Sequence, residues 1–306
     1  MKIAAHITSF QKKEKVCALA DLLLSIKPEI CKVYIIDNSE GGIKYTIDNP
    51  KVEVTYLDKN YGVAKAVNVS IAKAIEDKID WLWLFDDDSR PNNNTLAGLV
   101  DMIPKLDTAK TIILSSPYLD ELLKRKRSDY MMFFGCNFIK NWIDSIRPTE
   151  DDYINNYVYC DIAIISGSLF NVKLLEQSGI RMAEELALDA VDFEFSYQIK
   201  KSGLKIVCVL DVFFRHRVGK QRLIFLKAIT GYGPERYRLI MRNYYVFSRY
   251  YLKSTRFFIF RQSFFILLMA FSESIMDIDY KFKRVIACFK GLSEIKALSK
   301  KLQPRY

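Results

Sequence analysis

The sequence predicts an α/β fold with a mostly parallel sheet, followed by a C-terminal extension of helices rich in basic and aromatic residues. Short apolar runs alternate with segments of helical spacing through the first hundred residues. One wholly apolar run, Trp81 to Phe85, leads directly into three carboxylates, Asp86, Asp87 and Asp88. The charge then changes sign along the chain, from a net −5 over residues 1–214 to +15 over residues 215–306.

The elements follow from hydrophobic periodicity and from the residues that interrupt it, such as Pro28 and the Gly41-Gly42 pair. Strands are predicted at 2–8, 33–36, 52–57, 81–85, 111–114, 131–139, 160–170 and 204–210, and helices at 13–26, 63–76, 92–104 and 189–203. This alternation implies parallel strands, and ligands of such sheets bind beyond the carboxyl ends of the strands. We therefore expect one α/β domain over residues 1–220 and a helical region over 221–306.

Composition narrows the class of protein. Half of the 306 residues are hydrophobic, which is enough for a sizeable core. The six cysteines are scattered without a C-x-x-C pair, which argues against a zinc knuckle or a disulfide framework and favours a reducing compartment. The start of the chain is too short and too soon polar to be a signal peptide.

The first chemical cluster is the triplet Asp86, Asp87 and Asp88. Three adjacent acids at the end of a buried strand repel one another, and a cation relieves that repulsion. Oxygen-rich clusters suit Mg²⁺ or Mn²⁺, and these ions in turn suit a diphosphate. The alternative is a solvated acidic turn without a ligand.

The second cluster comes later, where Asp189, Asp192 and Glu194 crowd the start of a helix that ends at Gly203. Acids at a helix start complement its dipole and can be purely structural. A histidine among arginines, His216, follows the next strand; such a residue is either structural or a ligand for the metal at the acidic triplet.

The C-terminal region interleaves aromatic residues with arginines and lysines. The longest uncharged run, residues 262–272, is about half of what a bilayer crossing needs. We therefore expect helices that lie on an anionic membrane surface rather than through it, the alternative being a bundle with a solvated basic face.

In their order along the chain, these motifs resemble the family 2 glycosyltransferases of the GT-A fold, especially the rhamnosyltransferase-like and galactofuranosyltransferase-like members. The similarity covers about residues 1–250, although Ser9-Phe10 replaces the family's Tyr-Asn and Lys65 stands where a small residue is common. The matching pieces are Thr8-Ser9-Phe10, Asp37-Asn38, Asn60-Tyr61-Gly62 with Ala64, Ala66 and Asn68, Asp86-Asp87-Asp88-Ser89, Asp192-Phe193-Glu194, His216, Arg236-Tyr237 and Arg242-Asn243-Tyr244.

The resemblance implies an inverting transferase that moves a sugar from UDP-galactofuranose or dTDP-rhamnose to a growing cell-surface glycan or a lipid-linked acceptor. It also assigns roles to individual residues. The nucleotide donor would be held by Thr8, Asp37, Asn60, Gly62, Asp86 and Asp87. A Mn²⁺ or Mg²⁺ ion would be held by Asp86, Asp88 and His216. The catalytic base would be Asp192, and Glu194 and Arg242 would orient the acceptor or the helix.

Several alternatives stay open from the sequence. A glucosyl or galactosyl transferase using a UDP-sugar shares the same motifs. A nucleotidyltransferase has a similar sheet and metal, but its basic, glycine-rich phosphate loop is missing from residues 8–13. A nucleic-acid binder would leave the acidic triplet without a role, so we expect no nucleic acid partner. The last alternative is a non-catalytic scaffold attached to a membrane. The expected location is cytoplasmic, on the inner face of the cell membrane.

Overall fold

We analysed a computed structural model of the chain. It describes residues 1–41, 44–120, 125–127, 132–133, 144–145, 155–216, 221–224, 227–230, 232–276, 280 and 282–305. Most of the predicted strand at 131–139 lies outside these residues.

An eight-stranded sheet organises the fold, and most of its strands are parallel, as predicted. The strand order is β11-β13-β6-β12-β4-β1-β2-β3, in which β11 and β12 run antiparallel to their neighbours. The strands are β1 Ile3–Ser9, β2 Ile30–Asp37, β3 Val52–Tyr56, β4 Trp81–Asp86, β5 Ser89–Pro91, β6 Thr111–Ser115, β7 Tyr118–Asp120, β8 Arg125–Arg127, β9 Met132–Phe133, β10 Asp144–Ser145, β11 Tyr157–Cys160, β12 Leu169–Asn171, β13 Lys205–Val209, β14 Phe214–His216, β15 Gln221–Ile224 and β16 Lys227–Thr230.

Helices cover both faces of the sheet. Apolar residues of α1 and α3 pack on one face, and those of α2, α4 and α5 pack on the other. The α-helices are α1 Lys13–Ser25, α2 Val63–Glu76, α3 Thr95–Met102, α4 Val172–Ser178, α5 Val191–Lys201, α6 Pro234–Val246, α7 Arg256–Met276, α8 Lys283–Ser293 and α9 Ile295–Leu302. Short 3₁₀ turns lie at Ile103–Lys105, Glu184–Leu186 and Gln303–Arg305, and a π-helical turn lies at Phe247–Tyr251.

A second, four-stranded sheet stands beside the end of β4, in the order β5-β14-β7-β8. It brings His216 of β14 opposite Ser89 of β5 and Asp120 of β7. This small sheet carries the histidine back to the acidic triplet, which lies between β4 and β5.

The predicted strand at 160–170 is two short strands separated by a loop. The chain turns there because Gly167 has a φ of 79° and a Cβ at that position would lie 2.3 Å from the ring of Phe214. Only glycine fits such a close approach with a positive φ.

The C-terminal extension differs from the prediction at its start, because β15 and β16 pair antiparallel there and the described helices begin at Pro234. Its helices also share the core of the α/β part: Phe247, Tyr251 and Leu302 are buried in the same apolar cluster as α2 and α5. The division at residue 220 stays a prediction.

Candidate active site

The predicted edge of the sheet is formed by the carboxyl ends of β1, β2 and β4. Strand β1 lies between the other two, and its register places Thr8 beside Asp86 and Ser9 beside Asp37. The sheet therefore brings Thr8, Asp37 and the acidic triplet to one crevice, as the parallel topology predicted.

Asp37 is almost fully buried at this edge, and neighbouring groups hold its carboxylate. Ser9 Oγ and Tyr45 Oη donate hydrogen bonds to Oδ2 at 3.0 and 3.2 Å, and the Ser39 amide donates to Oδ1 at 2.7 Å. The carboxylate is thus rigidly oriented at the end of β2.

The turn before α2 is fixed from both sides. Asn60 accepts a hydrogen bond from the Gly62 amide, and buried Asn38 bonds the backbone of Tyr61 and Gly62. Gly62 has a φ of 84°, and a Cβ there would lie 2.2 Å from the carbonyl oxygen of Ala187. Glycine is required because the turn packs against the loop that precedes α5.

That loop, residues 182–190, is held to α2 by Asn68 as well. The Asn68 side chain accepts from the Met182 amide and donates to the Met182 carbonyl, both at 3.0 Å. The last residue of the Asn60-to-Asn68 motif therefore fastens this loop rather than contacting the crevice.

The acidic triplet holds crowded negative charge. Burial raises the pKa of Asp86 well above its usual range, and the carboxylates of Asp88, Asp192 and Asp87 raise it further. Asp87 is partly neutralised by Lys12, whose Nζ lies 2.6 Å from Oδ1. Asp86 and Asp192 are bonded to consecutive residues, since the Asp86 amide donates to Ser166 Oγ and the Ile165 amide donates to Asp192 Oδ1.

Asp88 points toward His216. Its Oδ1 is buried, finds no hydrogen-bond donor among the described residues, and lies 3.4 Å from His216 Nδ1. The same Nδ1 shares a hydrogen bond of 2.7 Å with Ser89 Oγ, and Ser166 donates to that Oγ in turn.

These groups fit a divalent cation. Carboxylate oxygens with an imidazole nitrogen are a donor set suited to Mn²⁺, and a bound ion would satisfy the buried oxygen of Asp88. Within the described residues, no three His, Cys, Asp or Glu side chains are already arranged to hold a metal ion. Asp88 and His216 lie side by side, and Asp86 would have to join them for the three to hold the ion.

Asp192 lies in the first turn of α5 and turns its carboxylate away from its own helix. Its Oδ1 accepts a hydrogen bond of 3.0 Å from the Ile165 amide. Burial raises its pKa from 3.8 to about 7. A carboxylate with a pKa near neutrality can accept a proton from a hydroxyl group under physiological conditions.

Glu194 does not face the crevice. It is fully buried, and Arg305 donates to both carboxylate oxygens, at 2.7 and 3.0 Å. Tyr251 Oη donates to the same carboxylate at 3.3 Å. Of the two predicted roles, the structure gives Glu194 that of holding the helix, since its oxygens are occupied and an acceptor cannot reach them.

Arg242 is likewise turned toward protein. Its guanidinium donates to the carbonyls of Glu185 and Leu186 at 3.0 and 3.4 Å and to the side chain of Asn243 at 2.8 Å. Arg242 thus contacts loop 182–190, and its predicted contact with an acceptor stays a prediction.

Three residues near the crevice had no role in the sequence analysis. His6 is buried between Thr8 Oγ1 and Ser70 Oγ, at 2.8 and 2.6 Å, and burial lowers its pKa to about 3, so it is neutral and orients Thr8. Lys12 neutralises Asp87, and buried Asp120 stands opposite His216. The alternation of β1, which puts His6 and Thr8 on one face, was the available signal for the first.

Comparison with known proteins agrees with this geometry. The glycosyl transferase family 2 model matches residues 7–176. The chain is 28% identical over 204 residues to the dTDP-rhamnosyl transferase RfbF of Shigella flexneri, covering 65% of this chain and 64% of that protein. It is 21% identical over 222 residues to the galactofuranosyltransferase GlfT1 of Mycolicibacterium smegmatis, covering 71% of each.

The fold is also found in solved structures. GalNAc-T7, crystallised with UDP, GalNAc and Mn²⁺, superposes with a TM-score of 0.56 at 15% identity, over 81% of this chain and 50% of that one. The mainly parallel sheet with its C-terminal helices is the GT-A fold. The family match spans more than half of the sequence, and the chain belongs to glycosyl transferase family 2.

Proposed function

We propose that the protein is an inverting, metal-dependent glycosyltransferase that uses dTDP-rhamnose or UDP-galactofuranose as its donor. The observation that carries this proposal is the half-buried carboxylate of Asp192, which is bonded to the Ile165 amide while Asp86, at the end of β4, is bonded to the neighbouring Ser166. The two sugars come from the names of the relatives RfbF and GlfT1. The acceptor we propose is a cell-surface glycan or a lipid-linked sugar.

Three functions are distributed over the crevice. Asp37 and Thr8, held by Tyr45 and His6, orient the base and ribose of the nucleotide. Asn60 and Gly62 shape the turn beside the phosphates. Asp86, Asp88 and His216 would hold a divalent ion, which would supply positive charge to the leaving diphosphate.

Asp192 performs the proton transfer. Its carboxylate takes the proton of the acceptor hydroxyl while the oxygen attacks the anomeric carbon and the bond to the diphosphate breaks. The Ile165 amide holds one carboxylate oxygen, which leaves the other for the acceptor.

A donor screen tests the proposal. The purified protein is given dTDP-rhamnose, UDP-galactofuranose, UDP-glucose or UDP-galactose with a lipid-linked acceptor, with Mn²⁺ or with chelator. We expect transfer from one of the first two donors, lost in chelator. Transfer only from the last two donors would identify the protein as a glucosyl or galactosyl transferase. Full activity in chelator would exclude a role for the metal. If the protein neither transfers the sugar nor hydrolyses the donor, a scaffold is favoured.

We also propose that helices α7 and α8 attach the protein to an anionic membrane on the cytoplasmic side. Bulky apolar side chains are exposed along both helices, and exposed Arg256, Lys283 and Lys290 flank them. The large apolar residues exposed on these two helices are Phe257, Phe260, Phe264, Phe265, Leu268, Met269, Phe271, Ile275, Ile286 and Phe289. This combination of apolar and basic side chains is complementary to lipids with negative head groups.

The described part of the chain contains one helix, α7, that is long and apolar enough to cross a bilayer, judged by length and composition alone. The 20 residues Arg256–Ile275 have a mean hydropathy of 1.4. The uncharged run of residues 262–272 therefore underestimated the length of the apolar segment. We favour surface attachment because α7 packs against α6 and α8 and because buried Glu273 of α7 lies 3.7 Å from buried Arg284 of α8.

Liposome flotation distinguishes these cases. We expect binding to vesicles with phosphatidylglycerol, weak binding to phosphatidylcholine alone, release by high salt or alkaline carbonate, and loss of binding in Phe257→Glu/Phe260→Glu. Resistance to carbonate would indicate a spanning helix. A dimer in solution without lipid binding would mean that a second copy covers the apolar face.

A further inference from the structure

Loop 182–190 leads directly into the helix that carries Asp192, and its backbone is unusual. Ala187 has a φ of 63° and Ala190 a φ of 67°. Residues with a side chain rarely adopt this region, and such conformations persist only where the surroundings enforce them. Some part of the structure must therefore hold this loop.

The buried side chain of Asn243, on α6, makes the required contacts. Its Nδ2 donates to the carbonyls of Leu186 and Asp189, at 2.9 and 2.8 Å. These two residues immediately precede the two alanines with positive φ. Its Oδ1 accepts a hydrogen bond of 2.8 Å from Arg242 Nε, which fixes the orientation of the amide.

Two arginines of α6 complete the contact. Arg242 donates to the Glu185 carbonyl at 3.0 Å. Arg236 binds both carboxylate oxygens of Asp189, at 3.1 to 3.3 Å. From the other side, α2 holds the loop through Asn68 and through the close approach of Gly62 to Ala187.

We propose that Asn243, supported by Arg236 and Arg242, is a positioning residue that sets the direction of the Asp192 carboxylate through loop 182–190. The inference rests on the proposed function, in which Asp192 is the base. Ala190 is the N-cap of α5, and Asp192 is two residues further on. A change in the Ala190 backbone would rotate the first turn and move the carboxylate, and a displacement of about 1 Å can cost about 100-fold in rate.

The test compares Asn243→Ala with Arg238→Ala, a matched control on the same helix. Arg238 bonds Glu235 and Glu294, and among the described residues it makes no hydrogen bond to the loop; it reaches Arg242 only through the shared Glu294, which lies 3.7 Å from Arg242. We expect Asn243→Ala to lower kcat by about 10- to 100-fold while donor KM changes less than about threefold, and Arg238→Ala to change kcat less than about threefold. Equal losses in both variants, or a parallel loss of donor affinity, would overturn the proposal.

A rescue experiment separates positioning from stability. Glycine adopts a positive φ without strain, so Ala190→Gly should restore part of the kcat lost in Asn243→Ala. A restored melting temperature without restored kcat would overturn the proposal. If Asn243→Ala does not fold, Arg236→Gln is used instead, since the Arg236 side chain is partly exposed. For this variant we expect about a tenfold lower kcat with unchanged donor KM. An unchanged kcat would overturn the proposal.

Amide exchange gives a readout that does not depend on turnover. The Ile165 amide is bonded to Asp192 Oδ1, so displacement of the carboxylate should accelerate its exchange in Asn243→Ala and not in Arg238→Ala. If the wild-type protein transfers no sugar, the proposed function fails, and this measurement still decides the positioning role. Unchanged exchange at Ile165 and in the loop would overturn it.

Discussion

Replacing Asp192 by asparagine should stabilise the protein and inactivate it. The unfolded carboxyl ionises near 3.8 and the folded one near 7. Between pH 3.8 and about 7, Asp192 is protonated in the folded state and ionised in the unfolded state, so the free energy of unfolding falls as the pH rises. Above about pH 7 the full destabilisation by the ionised carboxylate is present. The shift corresponds to an upper bound of about 4 kcal/mol. Asparagine keeps the Oδ1 that accepts from Ile165 and removes the buried charge.

The assay is urea unfolding of wild type and Asp192→Asn in chelator, at pH values from 5 to 8, together with turnover in Mn²⁺. We expect the stability difference to grow with pH, with the variant ahead at pH 8, and kcat to fall by about 100-fold or more with near-normal donor affinity. A helix-capping role would instead lower stability by about 1 kcal/mol and leave turnover intact. That result, or equal stability of the two proteins at pH 8 with full activity, would refute the assignment.

Further outcomes follow from the same contacts. In the free enzyme, kcat/KM should rise with pH to an apparent pKa near 7, because only ionised Asp192 accepts a proton; a profile flat from pH 5 to 8 would contradict this. Asp88→Asn should abolish turnover and Mn²⁺ binding, measured by calorimetry, whereas exposed Asp107→Asn should change neither. Arg305→Ala should cost about 3–5 kcal/mol of stability by leaving buried Glu194 unpaired; a loss in urea unfolding below about 1 kcal/mol would count against that pair.

The arrangement of the crevice was predictable where it follows from local pattern. Parallel strands bring their carboxyl ends to one edge, so the residues that follow each apolar run meet there. This logic located Thr8, Asp37 and Asp86 correctly relative to one another. His216 reached Asp88 through a small second sheet that the sequence did not indicate, although the strand end before it was recognised.

Residues whose partners are distant in sequence were harder to interpret. Glu194 was grouped with Asp192 because both belong to the motif Asp192-Phe193-Glu194. They lie two positions apart on a helix, so their side chains leave it in different directions. The partner of Glu194, Arg305, is 111 positions away, and no local pattern encodes such a pairing. The pairing of β15 with β16 was missed because the aromatic and basic composition of the following helices was extended to these strands.

The contacts of the C-terminal helices change how the chain is divided by function. The sequence separated a catalytic part from a membrane-associating part on charge and on the interleaved aromatic residues. In the structure, α6 contacts loop 182–190 through Asn243, and Arg305 near the end of the chain holds the helix that carries Asp192. Both contacts involve buried groups whose loss would leave polar atoms unsatisfied. The C-terminal region therefore completes the support of the proposed base, and any attachment of α7 and α8 to a membrane acts on an element that is continuous with the active site.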